Sequence, residues 1–270
     1  MIFHSISEEC YIWLQKQPNV KEESLTDWIL YTTSQRIDKF YYKAFTRNEE
    51  AYNGADWEWW VLTDGYHGPY AYRFLVQAKK LKSGQDNYPL ISYGNKHGLQ
   101  IDLLIDSARH RRAMPIYMYY STEKPEIVQQ LKNFNYIAKD IVTWCENCIN
   151  GAYISMAQSV KDEVFGSPRK KISEVALLNH SLGFSMCDLL FHKEHSAREI
   201  MDSINQYYIR NMRDKALSSP SGIKHFGNSI PNYLNTFINH NQNYPDWYES
   251  EYRYHLDDIA GIVVIDLRKG

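Results

Sequence analysis

The segment that most limits what this chain can fold into runs from Asp56 to Ala78. Asp56-Trp-Glu-Trp-Trp-Val-Leu-Thr63 is rich in aromatic and β-branched residues with period-two features, Asp64-Gly-Tyr-His-Gly-Pro69 carries turn chemistry, and Ala71 to Ala78 is a second apolar run. Two such runs across one turn predict a β-hairpin. Helices are expected on either side of it. From Glu22 to Phe40, the residues Leu25, Trp28, Ile29, Thr32, Ile37 and Phe40 recur at three- and four-residue spacing, and from His97 to Arg111 the apolar side is Leu99, Leu103, Leu104 and Ala108. Pro115-Ile-Tyr-Met-Tyr-Tyr120 follows as a buried strand. Helix, hairpin, helix, strand in that order predicts an α/β fold, a mixed sheet covered on its faces.

Beyond residue 120 the periodicity is weaker. Helical patterns lie near 150–162, 172–190 and 196–216, and an Asn/Pro-rich polar stretch covers 218–246. The final run, Gly261-Ile-Val-Val-Ile-Asp-Leu267, reads as a strand, and a lone apolar strand cannot satisfy its own backbone groups. It is therefore expected to rejoin the core sheet. The organisation predicted is a core over residues 1–124 and a mostly helical elaboration over 125–270 that ends in this strand.

Thirty Lys+Arg stand against 32 Asp+Glu, a formal charge of −2, which excludes a polybasic nucleic-acid-binding tail and an acidic disordered chain but allows a focused basic groove. No run approaches the roughly 18 apolar residues of a membrane span, and the opening MIFHSISEEC lacks the basic and apolar regions of a secretory signal, so a cytoplasmic protein with no membrane partner is expected. The four cysteines (Cys10, Cys145, Cys148, Cys187) then read as reduced thiols. Cys145-x2-Cys148 has zinc-knuckle spacing, with His180, Cys187, His192 and His195 downstream, but no second half-site follows at finger distance and core thiols are the better reading. There is no glycine-rich phosphate loop or dinucleotide fingerprint.

The chemistry-bearing residues lie on the hairpin. Residues two apart in a strand share a face, so Asp56 pairs with Glu58 and, on the partner strand, Gln77 with Lys79. Phosphodiester hydrolysis uses such a set: hard oxygen ligands for Mg²⁺ and a cation near the nucleophile or the developing charge. Glu22 projects close to the inward stripe of the first helix and can add a third carboxylate. The alternative is that Glu22 and Glu23 simply favour the positive end of a helix dipole.

The run Gly54-Ala-Asp56-Trp-Glu58-Trp-Trp60, followed by Val76-Gln77-Ala-Lys79-Lys80 and a helix opening Gly98-Leu-Gln100, resembles the PD-(D/E)xK phosphodiesterase superfamily of restriction-type nucleases. More narrowly it is similar to a restriction-endonuclease-like subfamily with a Glu-Glu-x-Leu-Thr-Asp helix start, here Glu22 to Asp27, and Gly-Ala-Asp-Trp-Glu-Trp-Trp and Gln-Ala-Lys strands. The resemblance covers roughly residues 20–122, with a fainter echo over 144–161. It implies a core of helix–strand–strand–strand–helix–strand order and a metal-dependent nuclease acting on DNA rather than RNA, an endonuclease of bacterial defence. Asp56, Glu58 and Gln77 would hold Mg²⁺ or Mn²⁺, with Lys79 and Glu22 completing the catalytic set and Gln100, Lys80 and Lys82 meeting nucleic acid. Gln77 departs from the superfamily's usual Asp or Glu and supplies only a neutral carbonyl, for which Glu58 is the obvious substitute. The same departure motivates the alternative of a catalytically inactive nuclease-fold module that binds nucleic acid or protein. In a defence effector, residues 125–258 would offer a surface for a homo-oligomer or an activating partner.

Two further patterns carry two readings each. Arg109-His-Arg-Arg112 can track phosphates or favour a helix C-terminus, and Tyr117, Tyr119 and Tyr120 can stack on bases or pack a core.

Overall fold

The computed structural model describes residues 2–44, 54–81, 94–95, 97–122, 151–166, 181–185, 196–211, 221–239 and 259–269. Two helices open the chain, α1 (Ile2–Lys16) and α2 (Glu22–Arg36), followed by strands β1 (Phe40–Ala44), β2 (Trp57–Thr63) and β3 (Tyr70–Lys80). A two-residue ladder, β4 (Gly94–Asn95) with β5 (Gly98–Leu99), leads into α3 (Gln100–Arg111) and β6 (Met114–Tyr120). Then come β7 (Ala152–Met156), α4 (Ala157–Gly166), β8 (Ser181–Ser185), α5 (Ala197–Asn211), β9 (Lys224–Phe226), α6 (Asn232–Asn239) and β10 (Gly261–Asp266).

Among the described residues the principal sheet is open, mixed and eight-stranded, in the order β1-β10-β2-β3-β6-β7-β8, with β9 pairing the start of β3. The hairpin β2–β3 sits in its middle, with Trp57 opposite Val76 and Thr63 opposite Tyr70. On the outer side of β2 runs β10, parallel to it, and on the outer side of β3 runs β6, also parallel. Strands flanked on both edges and covered on both faces are apolar nearly throughout, which is why β2 and β6 are buried at every position.

Alternation along the strands divides the core into two layers. Trp57, Trp59, Val61, Phe74, Val76, Met118 and Tyr120 pack beneath α1, α2 and α5 through Cys10, Leu14, Leu25, Ile29 and Met201. Trp60, Leu62, Leu75, Tyr117, Tyr119 and Val264 pack beneath α3, α4 and α6 through Ile101, Leu104, Val160 and Phe237. The α/β class read from the sequence is the class observed, with helices on both faces of a mixed sheet.

Three local expectations are corrected. The helix predicted over Glu22–Phe40 ends at Arg36; Lys39 turns the chain with φ of 61°, and Phe40 starts β1 against Ile265 of β10. A β-branched and aromatic run (Ile37, Phe40, Tyr41, Tyr42) that mimics helical spacing is claimed by the sheet edge. The helical pattern over 150–162 is a strand, β7, followed by a helix, and within 172–190 the described residues 181–185 are a strand. Residues after 125 contribute β7, β8, β9 and β10 to the sheet, more strand than their periodicity predicts.

Candidate active site

The hairpin register builds a polar site where β2 starts. The β2–β3 ladder begins with Trp57 opposite Val76, and the residue before it, Asp56, still gives its main-chain N–H to the Val76 carbonyl. Past that point β3 continues alone on this side through Ala78 and Lys80. Their N–H groups, which a longer β2 would have met, are taken by carboxylates: Ala78 N donates to Asp56 Oδ2 at 3.0 Å and Lys80 N to Glu22 Oε2 at 2.7 Å. One acid comes from the approach to β2 and the other from the first turn of α2, so two distant chain segments meet at one strand end.

Gly54 sets the approach of Asp56. It has φ of +71°, and a Cβ there would lie 2.4 Å from the Gln100 carbonyl oxygen and 2.8 Å from Leu104 N. Only glycine fits that backbone against α3. The close approach also brings Gln100, the first residue of α3, to the same place: its Nε2 donates to Gln77 Oε1 at 2.8 Å. Gln77 in turn directs Nε2 to Asp56 Oδ2, at 2.5 Å, and to the Ala78 carbonyl, at 3.1 Å. Lys79 lies two residues on, on the same face, and is itself largely buried.

Electrostatics ties the acids and the lysine together. Burial pushes the Glu22 carboxyl above its ordinary 4.5; the Lys79 ammonium and the Lys80 N–H oppose that rise, and the charge of Asp56 adds to it. Glu22, Asp56 and Lys79 are thus within electrostatic reach of one another. Glu23 is exposed beside them, so Glu22 is the helix carboxylate of this site.

Glu58 is not part of it. It shares a sheet face with Asp56, as alternation requires, but it is fully buried and both of its oxygens are committed. Oε2 takes Arg73 Nη2 at 2.7 Å, with Arg111 Nη1 at 3.9 Å, and Oε1 takes Trp60 Nε1 at 2.5 Å together with the Tyr233 hydroxyl. The register explains the choice. Glu58 faces Leu75, so its diagonal neighbours on β3 are Arg73 and Gln77, and charge complementarity selects the arginine. The expectation that Glu58 substitutes for the acid missing at Gln77 is therefore corrected. Gln77 also departs from expectation, because its carbonyl is turned to Gln100 and its amine to Asp56.

The remaining predicted contacts divide similarly. Lys80 points its Nζ away, onto the carbonyls of Pro18 and Val20 in the α1–α2 connection, the latter at 2.7 Å, so it is tied up there and not presented to nucleic acid. Lys82, Cys145, Cys148 and the histidines at 180, 192 and 195 lie outside the described residues. Arg109 pairs with Asp106, and Arg112 caps α3 in a left-handed conformation with its guanidinium on Ser221 and the Lys224 carbonyl.

Tyr117 and Tyr119, adjacent in register to Gln77 and Lys79, are stacked at 5.7 Å and fully buried, so they pack the core and do not stack bases. Among the described residues neither hydroxyl meets a hydrogen-bond partner. Burial, and then the charges of Asp56 and Asp102, push the Tyr117 hydroxyl far above its ordinary range, so it stays protonated. These two orphan hydroxyls beside the site were not predicted as such, and only their position opposite Gln77 and Lys79 in the ladder exposes them.

Among the described residues no three His, Cys, Asp or Glu side chains cluster as metal ligands. The donor set on view is two carboxylates, Asp56 and Glu22, with the buried Tyr117 hydroxyl near Asp56. Hard oxygens of this kind suit a divalent cation such as Mg²⁺, and the mutual repulsion between two half-buried acids is the electrostatic condition a cation relieves. A separate cleft of about 390 Å³ lies at the opposite end of β2 and β10, lined by Lys39, Asp64, Asp266, Arg268 and Lys269. Its chief charges neutralise each other, Asp266 bonding Arg268 at 2.7 and 2.6 Å, and it is remote from the polar cluster.

The fold and site together define an α/β protein with an open mixed sheet and a partly buried cluster of two carboxylates and a lysine at the end of its central hairpin. The chain belongs to a family of unknown function, DUF6615, whose model matches residues 1–269. No curated protein and no solved structure matches it. No helix among the described residues is long and apolar enough to cross a membrane.

Proposed function

We propose that this protein is a metal-dependent nuclease of restriction-endonuclease-like fold that hydrolyses DNA phosphodiester bonds, an endonuclease of the bacterial-defence kind. The observation that carries the reading is the convergence of Glu22, Asp56 and Lys79 from three chain segments onto one strand end, with Gln77 bonded to Asp56 and Gln100 to Gln77. With the two-residue β4–β5 ladder set aside, the helix–strand–strand–strand–helix–strand order of α2, β1, β2, β3, α3 and β6 agrees with the order the resembled superfamily implies.

Asp56 and Glu22 would hold Mg²⁺, or Mn²⁺ in its place. Bound there, the ion would polarise a phosphoryl oxygen and acidify a water. Lys79 places an ammonium beside Glu22, where it would orient the attacking water or meet the scissile phosphate. Gln100, engaged with Gln77, bears on the geometry of Asp56 before it bears on DNA.

The experiment is cleavage of supercoiled, linear and single-stranded DNA, and of RNA, with Mg²⁺ or Mn²⁺, by the wild type, Asp56→Asn and Lys79→Ala. The reading expects metal-stimulated cleavage that either substitution reduces by 100-fold or more at an unchanged unfolding midpoint. Wild-type protein that cuts none of these substrates refutes it. Gln77 in place of an acid, with its amine turned inward, favours the second reading, a nuclease-fold module that binds nucleic acid or protein without cleaving. Retained DNA binding without hydrolysis would select that one.

A further inference from the structure

Gln77 is the residue at which this chain departs from an acidic second half-motif, and its hydrogen bonds state what it does. One end of its amide meets two acceptors, a carboxylate oxygen of Asp56 and the carbonyl of Ala78. That end must be the NH₂, because an oxygen there would face two oxygens. The other end accepts from Gln100 Nε2. Turning Gln77 to offer its carbonyl to a cation beside Asp56 would set oxygen on Asp56 Oδ2 and oxygen on the Ala78 carbonyl, and would require Gln100 to turn over as well.

We infer that Gln100 and Gln77 form a fixed carboxamide relay whose task is to hold the Asp56 carboxylate, and that Gln77 is a positioning residue and not a ligand. The relay runs in one direction, from Gln100 Nε2 to Gln77 Oε1 and from Gln77 Nε2 to Asp56 Oδ2. Ala78 N binds the same Oδ2, so two donors fix one oxygen of the carboxylate and thereby set the direction of the other. The packing supports permanence. Gln77 is 2% exposed, and Gln100 is carried by a helix whose first turn is pressed onto Gly54. The purpose of the relay rests on the nuclease reading, whereas its geometry does not. With Gln77 withdrawn, the ligands that the described residues offer a cation here are the carboxylates of Asp56 and Glu22, and water and the phosphate of the substrate would share the remaining positions.

The test reads the side-chain NH₂ resonances of Gln77 in ¹⁵N-labelled protein, identified by their loss in Gln77→Met. In wild type without metal both protons should exchange with solvent at least tenfold more slowly than those of exposed glutamines. They should stay protected and close to their positions when MgCl₂ is added to saturation. Gln100→Glu supplies the opposite polarity: a carboxylate only accepts, so Gln77 Oε1 faces an acceptor unless Gln77 turns its NH₂ outward, and its resonances should move. Gln100→Met, with Asp56 and Ala78 still in place, should leave Gln77 protected. Calorimetry with Mn²⁺ should show roughly tenfold weaker binding for Gln77→Met, the usual loss for a residue that orients a ligand.

Wild-type resonances that travel with Mg²⁺ to the Gln100→Glu positions would overturn the inference, because Gln77 would then be a ligand. So would Gln77 protons that exchange as fast as exposed ones. Should Gln100→Glu not fold, the exchange rates of the wild type with and without Mg²⁺ decide the matter alone. Protected Gln77 protons in a protein that binds neither Mg²⁺ nor Mn²⁺ would uphold the relay and refute the metal-dependent reading, so the two can fail separately.

Discussion

Removing Glu58 should unfold the protein more readily without touching its chemistry directly. The Glu58→Ala substitution takes a fully buried carboxylate from between Arg73, Trp60 and Tyr233. Arg73, only 9% exposed, keeps a hydrogen bond to the Arg111 carbonyl but loses its counter-charge. Leaving one member of a buried ion pair alone costs about 3–5 kcal/mol, and the orphaned indole and phenol donors are part of that figure because all share one carboxylate. At about 2.1 cal/mol/K per residue, the unfolding entropy is about 0.57 kcal/mol/K, so Tm should fall by about 5–9 °C. Urea unfolding followed by tryptophan fluorescence and circular dichroism measures the free energy directly. Replacing both partners with methionine should recover the part of the loss due to the unpaired Arg73 charge, while the Trp60 and Tyr233 donors stay without the carboxylate. The single variant, assayed well below its midpoint, should retain cation binding and whatever cleavage the wild type shows. An unchanged midpoint combined with lost Mn²⁺ binding would refute the reasoning and return Glu58 to the metal.

Other consequences are as direct. Burial gives the Glu22 carboxyl a folded-state pKa above the unfolded 4.5, so the folded protein binds the extra proton and wild-type stability should decline as pH rises from about 4.5 through that higher value. Glu22→Gln should therefore be the more stable protein at neutral pH without metal, the gap closing as pH falls to 4.5; a gap that is flat with pH in calorimetric scans would sink the idea. Gly54→Ala should cost about 2 kcal/mol or more, from a left-handed φ and a Cβ pressed onto α3, and denaturation midpoints that match wild type would count against the contact described. The Cys10 thiol, completely buried and pushed up to about 12, should resist a disulfide reagent at pH 8 until the protein unfolds. Rapid modification of Cys10 in the native protein would contradict its burial.

Much of the site was legible because strand alternation is a strict rule. It put Asp56 and Glu58 on one face and Gln77 and Lys79 on one face, and helical spacing pointed Glu22 inward. What alternation cannot supply is the register, and register decided between the two acids. With Trp57 opposite Val76, Asp56 falls where β2 ends and β3 still has N–H groups to satisfy, while Glu58 falls one step inside, diagonal to Arg73. Arg73 and Tyr233 carried no signal: an arginine within an apolar strand and a tyrosine in a polar stretch 160 positions further on have no sequence relation.

The elements were uneven in the same way. The hairpin, α3 and β6 have dense apolar patterns and could be read directly, as could the run that becomes β10. Ile37 and Phe40 read as the end of a helix because they continue its three-residue spacing, and Phe40 instead starts a strand because β10 offers it an edge. The sequence by itself determined an α/β protein with a central hairpin and a small set of acids, amides and a lysine upon it. Tertiary structure alone decided which of them meet, because long-range pairing fixes which polar groups fall where a strand runs out of partners and which are buried with a counter-charge.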